Sequence, residues 1–188
     1  TVEGSEANMK VTHPIDLFIA EKLLQEANKI SFTSENDLDF LKDKTLVIFG
    51  GNSGIGLEMK NAALLKGARV EVASRSANNV DISDLDKVRM FLHSVEEKFG
   101  HIDYVINTAG LLIKKPIDNL TLEEINSLTS INYQGAINVA IASKPYLSKT
   151  KGMLLNFTSS SYTRGRPFYA LYSSAKAAIV NFTQAIAD

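Results

Sequence analysis

The chain has 188 residues, 45% hydrophobic and 22% charged, the balance of a soluble globular protein with room for one ordinary domain and part of another. Its 20 basic and 21 acidic residues leave a net charge of −1, so no basic face invites nucleic acid or an anionic membrane surface. There is no cysteine, and the histidines, His13, His93 and His101, are scattered, so no disulfide and no metal site is expected. No apolar run approaches membrane-spanning length and no signal peptide opens the chain; a cytoplasmic protein is expected. A first residue of Thr rather than Met suggests a fragment or a processed chain.

Residues 1–9 are polar and read as disordered or as a linker. From Pro14 to Asn28, Ile15, Phe18, Ile19, Leu23, Leu24 and Ala27 follow helical spacing, with Pro14 in the first turn and Thr12 or His13 as cap. Residues 31–43 are polar and acidic, and Ser34-Glu-Asn-Asp37 reads as a connector. At Thr45 the pattern changes. Thr45–Phe49 is an apolar strand, and a glycine-rich turn leads into a helix over 57–66. Arg69–Ala73 is a second strand, and Val80–Ile82 can form a short third. Leu85–Phe99 places Val88, Phe91, Leu92, Val95 and Phe99 on one helical face. Ile102–Ile106 is a buried strand, Leu122–Ser143 is one long helix or two joined helices, and Met153–Phe157 is a strand before the last helix. Strands alternating with helices predict an α/β fold, a parallel sheet covered on both faces.

The turn Gly50-Gly-Asn52-Ser53-Gly54-Ile55-Gly56 lies between the first strand and its helix. Gly50 suits a tight turn, Gly54 close approach of a pyrophosphate, and Gly56 close helix–sheet packing. Free amides and the helix dipole favour phosphate there. A glycine turn that binds nothing is the plainer alternative, but the strand–turn–helix setting favours a nucleotide. After the second strand, where an acid would favour NAD, stand Ser74 and Arg75. A guanidinium suits a 2′-phosphate, so NADPH is expected unless Arg75 is simply solvated.

Near the end lies Tyr172-Ser-Ser-Ala-Lys176. A tyrosine and a lysine four apart share a helix face. An ammonium beside a phenol eases proton transfer at its oxygen, so the pair can protonate a carbonyl under reduction. Alone, this spacing also arises by chance on solvated helices.

With these residues in hand, the stretch from Asp43 to Asp188 resembles the short-chain dehydrogenase/reductase family. The glycine turn is similar to that family's, with Phe49 in place of a threonine. Asp81, followed by Ile82, matches the aspartate at the adenine. Asn107-Thr-Ala109-Gly110 matches the motif bordering the cofactor with one substitution, and Asn132 matches the asparagine of the proton relay. Ser159, 13 residues before Tyr172, matches the active serine, with Ser160 as runner-up. The resemblance implies a Rossmann-type doubly wound sheet. It also implies that Ser159 polarises a carbonyl, Tyr172 protonates it, and Lys176 holds the nicotinamide ribose and stabilises the tyrosinate, with Asn132 holding a water linked to Lys176. A homo-oligomer, dimer or tetramer, is implied too. Two departures stand out. Only five residues separate Arg75 from Asp81, predicting an open adenine side, and the chain stops at Asp188, where the family continues. A missing C-terminal part is expected, since a sheet ending there leaves an exposed edge.

Asn8-Met-Lys10-Val-Thr-His-Pro-Ile-Asp-Leu17, with the helix after it, resembles the last segment of a cytidylyltransferase, in which Lys10 matches a lysine at the cytidylyl-transfer site. The chain then divides into a transferase remnant with linker, 1–40, and a reductase domain, 41–188. That order resembles the bifunctional enzymes that make CDP-ribitol for capsules, whose reductase converts ribulose 5-phosphate to ribitol 5-phosphate with NADPH. A phosphorylated substrate needs cations: Arg164, Arg166, Lys114 and Lys115 are candidates, or are solvated loop charges. A generic carbonyl reductase and a non-catalytic nucleotide-binding or assembly domain remain as alternatives.

Overall fold

The computed structural model describes residues 11–27 and 35–187. They fall in two units, Thr1–Asp37 and Leu38–Asp188. Lys10 and the polar stretch 1–9 lie outside the described residues. In the first unit α1 spans Pro14–Ala27. His13, one of the two expected caps, stands directly before α1, and its carbonyl accepts from Asp16 N at 2.9 Å, while the Asp16 carboxylate reaches back to the amides of Thr12 and His13, each at 2.8 Å. A negative group near the start of the helix also suits its dipole.

The second unit is built on a four-stranded parallel sheet in the order β2-β1-β3-β4. Its strands are β1 Thr45–Phe49, β2 Arg69–Ala73, β3 Tyr104–Asn107 and β4 Met153–Asn156. Every residue of β1 is buried, because β1 is central and helices cover both faces. Val47 and Phe49 turn to one face, against Val88, Leu92 and Val95 of α4 (Leu85–Phe99) and Val139 and Leu147 of α6 (Gly135–Thr150). Leu46 and Ile48 turn to the other, with Ala63 of α2 (Gly54–Leu65). Alternation along the strand sorts them. The register pairs Phe49 with both Ala73 and Asn107, and Asn107 with Asn156. The carboxyl ends of all four strands therefore lie in one row. The chain leaves β1 for β2 on one side and returns to β3 on the other. This opens the crevice at the strand ends where such sheets hold ligands.

Two local expectations change, and a third is decided between its two alternatives. Val80–Ile82 is not a strand. Val80 donates its amide to Ser74 O at 3.2 Å, and Asn138 of α6 donates to Ile82 O and Ser83 O at 2.9 and 3.0 Å. A side chain has taken the Ile82 carbonyl, which a sheet ladder would need. The helix expected at 57–66 begins at Gly54; its glycines mask the start, since glycine lowers helix propensity. The stretch 122–143 is α5 (Leu122–Thr129) and α6, joined by a π-helical turn over Ser130–Gln134. In the connector, Glu35–Leu41 forms a 3-10 helix. Arg75–Asn78 is the one-turn helix α3 and Ala170–Ala185 is α7. Among the described residues, no helix is long and apolar enough to cross a membrane.

Candidate active site

A cleft of about 520 Å³ opens at the carboxyl ends of β1, β2 and β3. Its floor is the glycine turn. Gly50 has φ +84°, and a Cβ there would lie 2.7 Å from Ala109 N; one on Gly56 would lie 2.5 Å from Thr108 Oγ1 and 2.7 Å from Gly50 O. The turn is packed so tightly that only glycine fits. Gly54 has φ +52° and nothing within 4 Å of where its Cβ would stand. Ser53 precedes α2 in an extended conformation, and its side chain makes no capping bond. The first-turn amides of a 12-residue helix are thus left for an anion. Bare amides over a floor with no Cβ fit the pyrophosphate of a dinucleotide.

At the adenosine end, Asn52 donates to Ser74 Oγ at 2.7 Å, tying the glycine turn to the end of β2. Ser74 Oγ caps α3 by accepting from Ala77 N at 3.1 Å. Ser74, Arg75, Asp81 and Ile82 line the cleft. Asp81 accepts from the amide and hydroxyl of Ser83 at 2.9 and 2.7 Å. Burial pushes its carboxyl up, but those bonds and the charges of Arg75 and Lys87 outweigh it and hold it below the usual carboxylate range. Ile82 packs where Gly135 leaves space: a Cβ on Gly135 would lie 2.5 Å from Ile82 Cδ1.

Tyr172 and Lys176 of α7 meet in the same cleft beside Ala109 and Gly110. The Lys176 ammonium lies 5.8 Å from the Tyr172 ring centroid and donates to Phe157 O at 2.9 Å. Lys176 is 6% exposed, and burial lowers its pKa. Asn132, in the π-helical turn, lies behind the cleft wall. It accepts from Leu111 N at 3.0 Å and donates to Leu111 O at 2.7 Å, clamping the backbone after Gly110. Asn107 ends β3, and its Oδ1 accepts from Ala109 N at 3.2 Å.

Ser159 lines an adjoining pocket that shares Phe157 and Thr158 with the cleft. Its Oγ is 2.9 Å from Ser161 Oγ. Ser160 accepts from Arg166 at 3.1 Å. Lys115 is ion-paired with Glu124, whose carboxyl is held below its ordinary value first by that hydrogen bond. Lys114 lies over the Tyr169 ring at 5.7 Å, and Tyr169 meets Tyr172 edge-on with centroids 6.4 Å apart. Arg164 is exposed. Sequence reasoning missed Thr108, Ile131, Phe157 and Thr158 in the cleft wall. Thr108 and Phe157 each follow directly on a strand, a position that could have marked them.

A parallel sheet with an amide-lined glycine turn and a tyrosine–lysine pair at its strand ends defines a nicotinamide-linked oxidoreductase. Residues 44–188 match the family model for short chain dehydrogenases, so the chain belongs to that family. Over 190 residues it is 46% identical to the bifunctional ribulose 5-phosphate reductase/CDP-ribitol pyrophosphorylase Bcs1 of Haemophilus influenzae, covering 100% of this chain and 40% of that one. It is 28% identical to galactitol 2-dehydrogenase of Agrobacterium fabrum, covering 78% of this chain and 64% of the relative. This chain therefore spans less than two thirds of either. A short chain dehydrogenase from Bacillus anthracis superposes with a TM-score of 0.74 at 25% identity, covering 78% and 68% of the two chains. ElxO with NADP bound shares the fold, with a TM-score of 0.71 at 22% identity, covering 77% and 66%.

Proposed function

We propose that this chain is the reductase part of a longer bifunctional enzyme. It reduces the ketone of ribulose 5-phosphate to the secondary alcohol of ribitol 5-phosphate with NADPH. A cytidylyltransferase domain of the same polypeptide then makes CDP-ribitol for a capsule polysaccharide, in the cytoplasm. One observation carries the reading: the likeness to Bcs1 runs through the whole chain, N-terminal segment included, whereas galactitol 2-dehydrogenase matches 78% of it.

A reduced nicotinamide supplies the hydride. The amides of α2 hold the pyrophosphate, and Arg75 takes the 2′-phosphate with Asp81 beside the adenine. Ser159 donates a hydrogen bond to the substrate carbonyl, and Tyr172 gives that oxygen its proton as negative charge develops there. Lys176 stabilises the resulting tyrosinate. Asn132 holds the Leu111 backbone so that the wall beside Lys176 keeps its shape. Of the four loop cations, Arg166 is assigned the substrate phosphate. It leans on Ser160, next to the active serine, whereas Lys115 is already matched by Glu124. Assembly as a dimer or tetramer follows from family resemblance.

The likeness to galactitol 2-dehydrogenase favours a second reading, oxidation and reduction of an unphosphorylated polyol and its ketose. The full-length protein decides between them. NADPH oxidation with ribulose 5-phosphate, and little with ribulose, is expected. Turnover of ribulose alone, or preference for NADH, sinks the substrate or the cofactor assignment respectively.

A further inference from the structure

Ser161 is the one buried residue between Phe157 and Tyr169, with 2% of its surface exposed. Its hydroxyl lies 2.9 Å from Ser159 Oγ, and its amide donates to the same oxygen at 3.2 Å. The Ser161 hydroxyl has no other hydrogen-bond partner among the described residues. Between two hydroxyls either can donate, and burial decides which does. If Ser159 donated, the Ser161 proton would be sealed inside the fold without an acceptor, the costlier arrangement. If Ser161 donates, its proton is satisfied on Ser159 Oγ, and the proton of half-buried Ser159 is left free. A serine oxygen has two acceptor lone pairs and one proton. The amide and hydroxyl of Ser161 fill both lone pairs. Ser159 can then take part in a further hydrogen bond only as a donor.

We propose that Ser161 is a positioning residue for carbonyl reduction: it turns Ser159 into an obligate hydrogen-bond donor with its proton reserved for the substrate oxygen. The inference rests on the assignment of Ser159 to the substrate carbonyl. A donor fixed in advance need not reorganise as charge grows on that oxygen, so its loss falls on kcat. Ser161 itself touches neither substrate nor cofactor; it acts through Ser159.

The test uses the full-length enzyme with ribulose 5-phosphate and NADPH. Ser161→Ala is expected to lower kcat about tenfold, the worth of one hydrogen bond in the transition state, with both KM values little changed. Ser161→Thr keeps the hydroxyl and recovers most of the rate. The double variant Ser159→Ala/Ser161→Ala is as slow as Ser159→Ala alone, because the second change has nothing left to act through. Wild-type kcat in Ser161→Ala, or a double variant slowed by the product of the two single losses, overturns the inference while leaving Ser159 in place. Wild-type kcat in Ser159→Ala overturns the assignment beneath it, and the inference with it.

Discussion

Tyr172 and Lys176 were legible as a pair because helical spacing alone puts them on one face. Their setting was not. Lys176 is buried against Phe157 O, the carbonyl directly after β4. Tyr172→Phe removes the proton donor and keeps the ring. It is expected to lower kcat by about 10²- to 10⁴-fold while cofactor binding, followed by fluorescence titration, stays near wild type. Retained turnover would refute the mechanism. Arg75→Ala should raise the NADPH dissociation constant about 10- to 100-fold, the worth of a charge-assisted pair, and leave NADH within a few-fold. Equal losses for both cofactors would make Arg75 a general wall residue rather than a 2′-phosphate ligand. Lys115 shows the limit of reading charges along a chain: its partner Glu124 stands on α5, and only folding brings the two within an ion pair.

The glycine turn was recognised at the scale of elements, because strand, turn and helix follow one another directly and their geometry is local. The reason Gly56 must be glycine is only partly local, since its Cβ would strike both Gly50 O in the same turn and Thr108 Oγ1 from the end of β3. Gly56→Ala should therefore abolish measurable dinucleotide binding by calorimetry while the chain still folds. Retained affinity would show that the turn can relax. Val80–Ile82 is not a strand, and its Ile82 carbonyl is held by Asn138, 56 residues away in sequence, which no periodicity reports. Asn138→Ala strips two carbonyls of their donor, at a cost of about 1–3 kcal/mol. Both a lower thermal midpoint and weaker cofactor binding are expected, since the same segment carries Asp81. A stability loss with unchanged cofactor affinity would separate Asn138 from the site.

The two ends of the sheet differ across the whole second unit. At the amino-terminal edge, buried Asp103 accepts from Thr45 N at 2.8 Å and Lys44 Nζ at 3.1 Å, a closed network that fixes strand ends. At the carboxyl edge, amides, Arg75 and Lys176 face a cleft, and stability is given up for function. Lys176 makes this measurable. Burial lowers its pKa below the ordinary lysine range, so the folded protein binds that proton less tightly than the unfolded chain. Between the lowered value and the ordinary one, the unfolded chain carries the extra proton. The stability contribution of this site therefore rises with pH through that window. Below the window both states are protonated, and the full cost of burying the ammonium is carried. Lys176→Met removes that cost. The thermal midpoint of the variant minus that of wild type should be greatest at neutral pH and fall as pH climbs into the lysine range; a pH-independent difference would exclude the effect.

Ser159 was marked by the family resemblance, while sequence by itself determined the alternation of strands and helices, the glycine turn between strand and helix, and the pairing of Tyr172 with Lys176. Each is written in neighbouring residues, or in fixed intervals that helix and strand geometry convert directly into a shared face. The tertiary structure alone decided that the Ser159 and Ser161 hydroxyls meet, which loop cation is already neutralised, and which distant side chain holds the Ile82 carbonyl. Those outcomes depend on burial and on hydrogen-bond partners from distant segments, and a free chain with its groups in water holds neither.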